Sequence, residues 1–213
     1  MNSRMLEGKK IAVLVESEFV PGEIEAYRYG FAALGAEVHF MSRLWNQPSQ
    51  TFVSDVEHAG NTPVTLEVDK DFQKINMDEY AAVIMAANYT SVRLRYFERP
   101  AGQPFSADMV RSAPAVQFFA RAMANPRTIK GALCHGLWIL TPNPELLKGR
   151  KVICHEVMLA DVLNCGAQYI PPDAENAGVV VDRDLVTGHT WHEVLPFILA
   201  IAQQILNLSA REG

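Results

Sequence analysis

The sequence predicts an α/β fold in which helices cover both faces of one sheet. Short apolar runs rich in β-branched residues alternate along the chain with longer stretches in which apolar residues recur at helical spacing. The strand-like runs are apolar at consecutive positions, which is typical of parallel strands buried on both faces. Strands that alternate with helices in this way favour parallel pairing through crossover connections.

The same patterns place the elements in order. The predicted strands are 10–15, 38–41, 80–86, 129–133, 151–154, 178–181 and 185–187, with a turn at 182–184 between the last two. The predicted helices are 24–34, 106–124, a helix that opens at 136–140, then 158–165 and 191–208. Gly35 and Gly166 follow two of the helices, where glycine commonly ends a helix in the left-handed conformation. Ser112 is expected to cap the second half of the helix that Pro114 interrupts.

Two segments fit this series less well. Residues 51–69 contain several Val and Thr residues, which predicts an excursion of short strands. Residues 89–104 are polar and contain proline, which predicts an exposed loop or insertion. Because neither a repeat nor a low-complexity linker interrupts the sequence, we expect a single domain over residues 1–213 with its core at about 10–206.

Composition and charge argue against several classes of partner. Hydrophobic residues make up 49% of the chain and charged residues 20%, as in a globular protein. The net charge is −5 and basic runs are absent from the sequence, so we expect neither nucleic acid nor a membrane as a partner. The first residues lack the apolar core of a secretory signal, and three cysteines do not form a disulfide framework. We therefore expect a cytoplasmic protein with free thiols.

The sharpest chemical motif lies where the strand 129–133 ends. Cys134 follows the strand directly, and the predicted helix begins at Gly136. This arrangement resembles a nucleophile elbow, in which a sharp turn between a strand and a helix presents the nucleophile. The free N–H groups of the helix N-terminus are expected to stabilise a thiolate and to lower the pKa of Cys134. His135 is placed to relay a proton and Gly136 to let the backbone turn tightly, although Cys134 can also be a small core residue.

Glu23 is the candidate acid that would serve this thiol. It lies in the first turn of the helix after the first strand. The strand-to-helix turns of a parallel sheet gather at one edge, so Glu23 and Cys134 are expected there together. A carboxylic acid kept protonated at that edge can donate a hydrogen bond to the thiolate and later a proton. The spacing does not choose between Glu23 and its neighbours Glu16, Glu18 and Glu25.

Several short motifs, taken in order, resemble those of the ThiJ/PfpI family within the class I glutamine amidotransferase-like superfold. The resemblance runs from about residue 10 to residue 206. Its most specific parts are Ala132-Leu133-Cys134-His135-Gly136 with Trp138, Leu147-Lys148-Gly149-Arg150-Lys151, Asp161-Val162-Leu163-Asn164-Cys165-Gly166-Ala167, Val179-Val180-Val181-Asp182, Leu185-Val186-Thr187 and Leu195-Pro196-Phe197.

The resemblance implies a flavodoxin-like three-layer sandwich with a mostly parallel central sheet. It also implies a homodimer or a higher homo-oligomer. On this basis Cys134 is expected to be the nucleophile, His135 the neighbouring base or acid, and Glu23 the buried glutamate of the family. His155 corresponds to the family's pocket histidine, and Trp138 belongs to the same motif as the nucleophile.

The sequence departs from the peptidase branch of that family at two places. That branch usually has Gly-Gly after the strand at 80–85 and an acidic residue a few positions later. Here the corresponding residues, 85–91, contain neither glycine nor a carboxylate, and the next acidic residue is Glu98. The backbone N–H groups of this stretch, which includes Ala87, can still form an oxyanion hole, although alanine tolerates fewer conformations than glycine. Many relatives have Ser-Arg-x-Pro where this chain has Gly188-His189-Thr190-Trp191, which predicts a different pocket rim.

Neither a cofactor nor a metal is predicted. The sequence contains neither G-x-G-x-x-G nor a phosphate loop, which argues against a nucleotide cofactor. His189 and His192 with Glu193 form half a metal site at most, and are more typical of solvated or helix-capping residues. Cys154 and Cys165 are expected to be packing residues, although a Cys154 near the pocket would allow an oxidative pairing with Cys134.

Three functions remain open at the level of the sequence. The first, which the resemblance favours, is a glyoxalase- or deglycase-like cysteine enzyme acting on small carbonyl compounds, with a role in the stress response. The second is a cysteine amidase or peptidase, which needs an oxyanion hole and an acid that orients the base. The third is a non-enzymatic sensor in which Cys134 is oxidised reversibly.

Overall fold

A seven-stranded sheet flanked by helices forms the centre of the computed structural model, which describes residues 4–58, 60 and 62–212. The strands of the described residues are β1 (Lys10–Leu14), β2 (Glu37–Ser42), β3 (Gln50–Val53), β4 (Thr65–Val68), β5 (Lys70–Asp71), β6 (Ala82–Met85), β7 (Ile129–Leu133), β8 (Lys151–Val152), β9 (Gln168–Tyr169), β10 (Val179–Asp182) and β11 (Leu185–Gly188). Their α-helices are α1 (Pro21–Ala33), α2 (Thr90–Leu94), α3 (Pro114–Ala124), α4 (Leu159–Asn164) and α5 (Val194–Glu212). The predicted α/β class is confirmed.

The order of the strands brings three carboxyl ends together. The order is β10-β11-β7-β6-β1-β2-β5, and all neighbours pair in parallel except β10 and β11. In this register Leu14 of β1 lies beside Met85 of β6, which lies beside Ala132 of β7. The segments that follow these strands therefore meet at one edge of the sheet, as parallel pairing requires.

The core forms where α1 and α5 pack on the middle strands. Tyr27 of α1 and Phe197 of α5 are fully buried, with ring centroids 6.3 Å apart. Gly131 of β7 allows this close packing, because a Cβ there would lie 2.9 Å from both Phe197 Cζ and Ile201 Cδ1. The apolar residues whose helical spacing predicts these two helices are thus the residues on their buried faces.

A capping box opens the 3₁₀ turn Trp191–Glu193 that leads into helix α5. The Thr190 side chain accepts a hydrogen bond from the backbone, and the Glu193 side chain reaches back to the Thr190 N–H, which is a capping box. The segment from Trp191 to Arg211 is long and apolar enough to cross a membrane by length and composition, a feature that the sequence analysis did not predict. Phe197 and Ile201 are nevertheless buried against the sheet, as in the core helix of a soluble fold.

Three local predictions are wrong. Residues 136–140 form a short 3₁₀ turn, Gly136–Ile139, rather than the start of an α-helix. Ser112 does not cap α3, because its hydroxyl donates to the carbonyl of Met109 and the N-cap position is Ala113. The predicted loop 89–104 contains α2, in which Thr90, Ser91 and Leu94 are buried, because polar side chains there find partners inside the protein.

The other short elements agree with their predictions in outline. The excursion 51–69 forms the antiparallel pair β3 and β4, outside the main sheet. The turn at 182–184 joins β10 to β11, with Arg183 at a positive φ. The predicted strand 151–154 is reduced to the two residues of β8, which pair with β9.

Candidate active site

Cys134 occupies a strained turn directly after β7. Its φ is +57°, in the left-handed region that residues with a side chain seldom adopt. We expected Gly136 to be needed for a tight backbone turn, but its φ is not positive, so that expectation is wrong. Its role is close packing, because a Cβ on Gly136 would lie 2.9 Å from the carbonyl oxygen of Met85. The turn therefore holds the sulfur in one position, as in a nucleophile elbow.

The expected lowering of the pKa of Cys134 is wrong. Burial is the main reason that the pKa of this thiol rises to about 12, and the negative charge of Glu23 adds to it. The backbone N–H groups of Asn88 and His135 face the sulfur and act in the opposite direction, but they are outweighed. A four-residue 3₁₀ turn provides little of the dipole that a full helix would direct at the sulfur. Cys134 is therefore a thiol at neutral pH.

His135 is the nearest titratable partner of this thiol. Its Nδ1 atom lies 3.0 Å from Cys134 Sγ, within hydrogen-bond distance. Burial is the main reason that the pKa of His135 falls to about 4, and the neighbouring His155 and His58 contribute to the same shift. At neutral pH the pair therefore consists of a neutral thiol and a neutral imidazole.

Glu23 is the buried carboxyl group of the site. It is fully buried in the first turn of α1, and both of its oxygens accept a hydrogen bond from the N–H of Ala87, at 2.9 and 3.0 Å. Burial raises the pKa of Glu23 to about 8 against this hydrogen bond. Glu23 is thus mostly protonated at neutral pH, as the sequence analysis expects, whereas Glu25 is exposed on the same helix.

The hydrogen bond to Glu23 changes the expected role of Ala87. Because the N–H of Ala87 points at the carboxyl group, it is not directed at a bound oxyanion. The next N–H along the chain, that of Asn88, faces Cys134 Sγ together with the N–H of His135. These two groups are the better candidates for an oxyanion hole. Asn88 reaches this position through a φ of +62°.

Aromatic and imidazole rings form one wall beside the sulfur. The His135 ring stacks on Tyr89 with centroids 5.4 Å apart and on His155 with centroids 4.7 Å apart. Trp138 lies 5.0 Å from His135, and its Nε1 donates to Asp161 at 2.8 Å. The structure therefore brings the predicted binding residues Trp138 and His155 next to the thiol, where their role stays a prediction.

The β3–β4 excursion adds two residues that sequence reasoning missed. Asp55 accepts a hydrogen bond from the side chain of Asn88. It also contacts His58 through both the backbone N–H and the ring Nδ1, each at 2.7 Å. His58 lies close enough to His135 to contribute to the lowered pKa of that ring. The only signal in the sequence was the pair of ionisable residues three positions apart, in a segment whose path the sequence does not specify.

The other candidate residues, the histidines considered as metal ligands and the cysteines other than Cys134, have structural roles. No group of three or more His, Cys, Asp or Glu side chains within the described part of the chain is arranged to hold a metal ion. His189 instead bonds to Glu156 at 2.8 Å, and Thr190 rather than a histidine caps the final helix. Cys154 and Cys165 are buried as expected, and burial raises the pKa of both.

Known proteins with similar sequences include two kinds of enzyme. A model of the DJ-1/PfpI family matches residues 100–204. The protein/nucleic acid deglycase 2 of Escherichia coli (strain K12) is 28% identical over 190 residues, which cover 89% of this chain and 93% of that protein. A Bacillus subtilis (strain 168) protein called "Putative cysteine protease YraA" is 27% identical over 152 residues, covering 68% of this chain and 82% of the other.

A solved structure extends the likeness to the fold. The ThiJ/PfpI domain protein from Brachyspira murdochii matches 94% of this chain and 97% of its own, with a TM-score of 0.71 and 16% sequence identity. At 16% identity this match shows the fold alone. The evidence for the family comes from the family model, whose match includes Cys134. The chain belongs to the DJ-1/PfpI family, also called ThiJ/PfpI, and has its class I glutamine amidotransferase-like fold.

Proposed function

We propose that this protein is a cysteine enzyme that acts on small α-oxoaldehydes or on their adducts, in the manner of a glyoxalase or deglycase. One observation carries the proposal: Cys134 Sγ is held 3.0 Å from His135 Nδ1, beside a buried carboxyl group, Glu23, whose pKa is about 8. The site therefore contains a nucleophile and a proton carrier that changes its charge near neutral pH. The similarity to the Escherichia coli deglycase agrees with this proposal.

The chemistry follows from the protonation states of the three residues. The sulfur of Cys134 adds to the aldehyde carbon while its proton passes through His135 to the carbonyl oxygen, which gives a hemithioacetal. Glu23 or His135 then removes the proton from that carbon and returns a proton to the adjacent one, which gives a thioester. Water hydrolyses the thioester to a 2-hydroxy acid and frees the thiol, so methylglyoxal and water yield lactate.

Turnover of methylglyoxal by purified variants tests the proposal. We expect lactate formation by the wild type and by Cys165→Ala, and none above background by Cys134→Ala. Cys165 is the matched control because it is a free, buried cysteine away from the turn. Equal lactate formation by the wild type and Cys134→Ala would show the proposal to be wrong.

The pH dependence of turnover tests the role of Glu23 separately. Because the pKa of Glu23 is about 8, its carboxylate becomes available as a base only as the pH rises through that value. We expect kcat/KM to rise up to about pH 8 in the wild type and to lose this rise in Glu23→Gln. A wild-type profile without a transition near pH 8 would assign the proton transfer to His135 instead.

An amidase or peptidase reaction is the second candidate. The N–H groups of Asn88 and His135 beside the sulfur favour it, because an acyl transfer needs two such donors for the oxyanion. Against it, the hydrogen bonds of the described residues include none from the His135 ring to a carboxylate, so the orienting acid of a triad is not found among them. Mass spectrometry after treatment with an activated amide would detect an acyl group on Cys134 if this reaction occurs.

The sensor hypothesis is the least supported of the three. Redox-sensing cysteines are usually exposed thiolates, whereas burial raises the pKa of all three cysteines here. Mild peroxide is therefore expected to oxidise Cys134 slowly. Rapid and selective conversion of Cys134 to sulfenic or sulfinic acid in a peptide map would restore the hypothesis.

A further inference from the structure

A second cavity lies beside the site that contains Cys134. It has a volume of about 870 Å³ and opens beyond the carboxyl end of β2, whose last residue, Ser42, lines it. Helix α2 separates the two places, because α2 residues line the cavity and Ser91 of the same helix donates to the carbonyl oxygen of His135. Neither Cys134 nor His135 lines this cavity. Its volume is in the range of small-molecule sites.

Two buried polar groups at this cavity have no hydrogen-bond partner among the residues that the structure describes. Ser42 is fully buried, and its hydroxyl makes no hydrogen bond. The Nη1 atom of Arg43 is also buried without a partner, although Nη2 contacts Glu98 at 3.3 Å. Buried polar groups of this kind usually meet a water, an ion or a ligand, which marks this end of the cavity as polar.

The charge of the lining is mainly positive. Arg43, Arg93, Arg95 and Arg99 line the cavity against a single carboxylate, Glu16. Arg93 is neutralised by Glu18, which lies outside the lining. Arg43 is paired with the exposed Glu98 at 3.3 Å. Among the described residues, Arg95 donates to neutral acceptors, the carbonyl of Trp138 and the hydroxyl of Thr141, with the charge of Asp161 nearby. Four guanidinium groups against one carboxylate in the lining favour an anionic ligand.

Aromatic side chains supply the apolar walls. Trp45 pairs with Tyr96 at a centroid distance of 5.8 Å, and Phe97 pairs with Phe105 at 5.7 Å. The guanidinium of Arg43 lies 3.5 Å from the Trp45 ring centroid, which fixes the cation beside an aromatic surface. Phe105 is 71% exposed and borders the cavity, so its ring is available to contact a ligand.

We infer that this cavity binds a small organic anion, a carboxylate or phosphate carried on an aromatic ring system. The ring would lie against the exposed aromatic side chains of the wall, Tyr96 and Phe105, and the anionic group would pair with the guanidinium groups of Arg43 and Arg95. The inference does not depend on the reaction proposed for Cys134, because the lining residues are different.

Calorimetric titration with 2-naphthoate, and with the neutral 2-naphthamide as its isostere, tests this inference. We expect 2-naphthoate to bind about tenfold more tightly than 2-naphthamide, since a charge-assisted hydrogen bond is worth more than a neutral one. Arg43→Gln should remove this preference, and Phe105→Ser should weaken the binding of both compounds.

The matched controls are Arg28→Gln and Tyr29→Ser. Arg28 also lies over an aromatic ring, Phe40, and Tyr29 is 67% exposed, but neither lines the cavity. Equal affinity for the two compounds, or an equal loss in the control variants, would overturn the inference. So would a change in oligomeric state on Phe105→Ser, measured by sedimentation, because it would assign the aromatic surface to a second copy of the chain.

Discussion

The pKa of Cys134 depends on the charge of Glu23, although the two residues are 111 positions apart in the sequence. Above pH 8 the Glu23 carboxylate is ionised and its charge opposes the thiolate, whereas below pH 8 the neutral acid does not. The turn fixes the position of the sulfur, burial raises the pKa of the thiol, and the charge of Glu23 raises that pKa further. Two predictions follow at the scale of single residues.

Glu23→Gln should accelerate alkylation of Cys134 at high pH. Removing the negative charge lowers the pKa of the thiol, so the thiolate fraction at pH 9 increases, while little changes at pH 6, where Glu23 is already neutral. A pulse of iodoacetamide between pH 6 and 10, followed by peptide mass spectrometry, measures each cysteine separately. Slower alkylation in Glu23→Gln at pH 9 would mean that Glu23 donates a hydrogen bond to the thiolate instead of repelling it.

Glu23 should also make the stability of the wild type depend on pH. The pKa of this buried carboxyl rises from the ordinary 4.5 to about 8, so folding opposes its ionisation. Stability is therefore full below about pH 4.5 and is lost as the pH rises to about 8, by about 5 kcal/mol relative to Glu23→Gln. Urea unfolding at pH 5, 7 and 9 measures this, with the exposed Glu25→Gln as the control. A pH-independent difference between the wild type and Glu23→Gln would contradict the prediction.

At the scale of elements, the β10–β11 hairpin is attached to β7 by buried charges. Asp184 bonds to Lys130 of β7 and, at 2.9 Å, to Arg150, which also bonds to Asp182 at 2.7 Å. Burial raises the pKa of Asp184, but Lys130 and Arg150 outweigh it and hold that pKa below its usual range. The sequence identifies Asp182 and Asp184 only as turn residues, whereas the structure makes them the partners of two buried cations.

Asp184→Asn should destabilise the protein by about 3 kcal/mol, because it leaves the ammonium of Lys130 without a counter-ion in a buried position. Thermal and urea unfolding at pH 7 measure the loss. Adding Lys130→Met should recover most of it, because the double variant buries no unpaired charge. If the double variant were as unstable as Asp184→Asn alone, the loss would come from the hairpin turn and not from the ion pair.

At the scale of the whole molecule, we predict association of two or more copies in solution. The family resemblance implies it, and α5 leaves Leu195 60% exposed and Leu199 53% exposed one turn apart. Apolar contacts are not screened by salt, so raising NaCl to molar concentrations should leave the assembly intact. Sedimentation equilibrium should give at least twice the 23.7 kDa of one chain. A mass of one chain at micromolar concentration would contradict the prediction.

The local sequence was sufficient for the elements with regular periodicity. The strands that became β1, β6 and β7 are apolar runs buried on both faces, and the helices that became α1 and α5 show the spacing of their buried sides. It was insufficient for the turn after Cys134, because a 3₁₀ turn and the first turn of an α-helix share the same few residues. It also missed α2, whose buried hydroxyls are satisfied by distant carbonyls.

The sequence by itself determined the succession of the main strands and helices along the chain, the position of Cys134 after a buried strand, and the family to which these motifs belong. Only the tertiary structure decided which carboxyl group serves the site, since Glu23 is distinguished from Glu25 by burial against Ala87 alone. It also decided that the thiol is protonated and that Asp55 reaches Asn88. The physical reason is that burial and charge pairing depend on distances between segments that are remote in sequence, whereas periodicity reports only on neighbours along the chain.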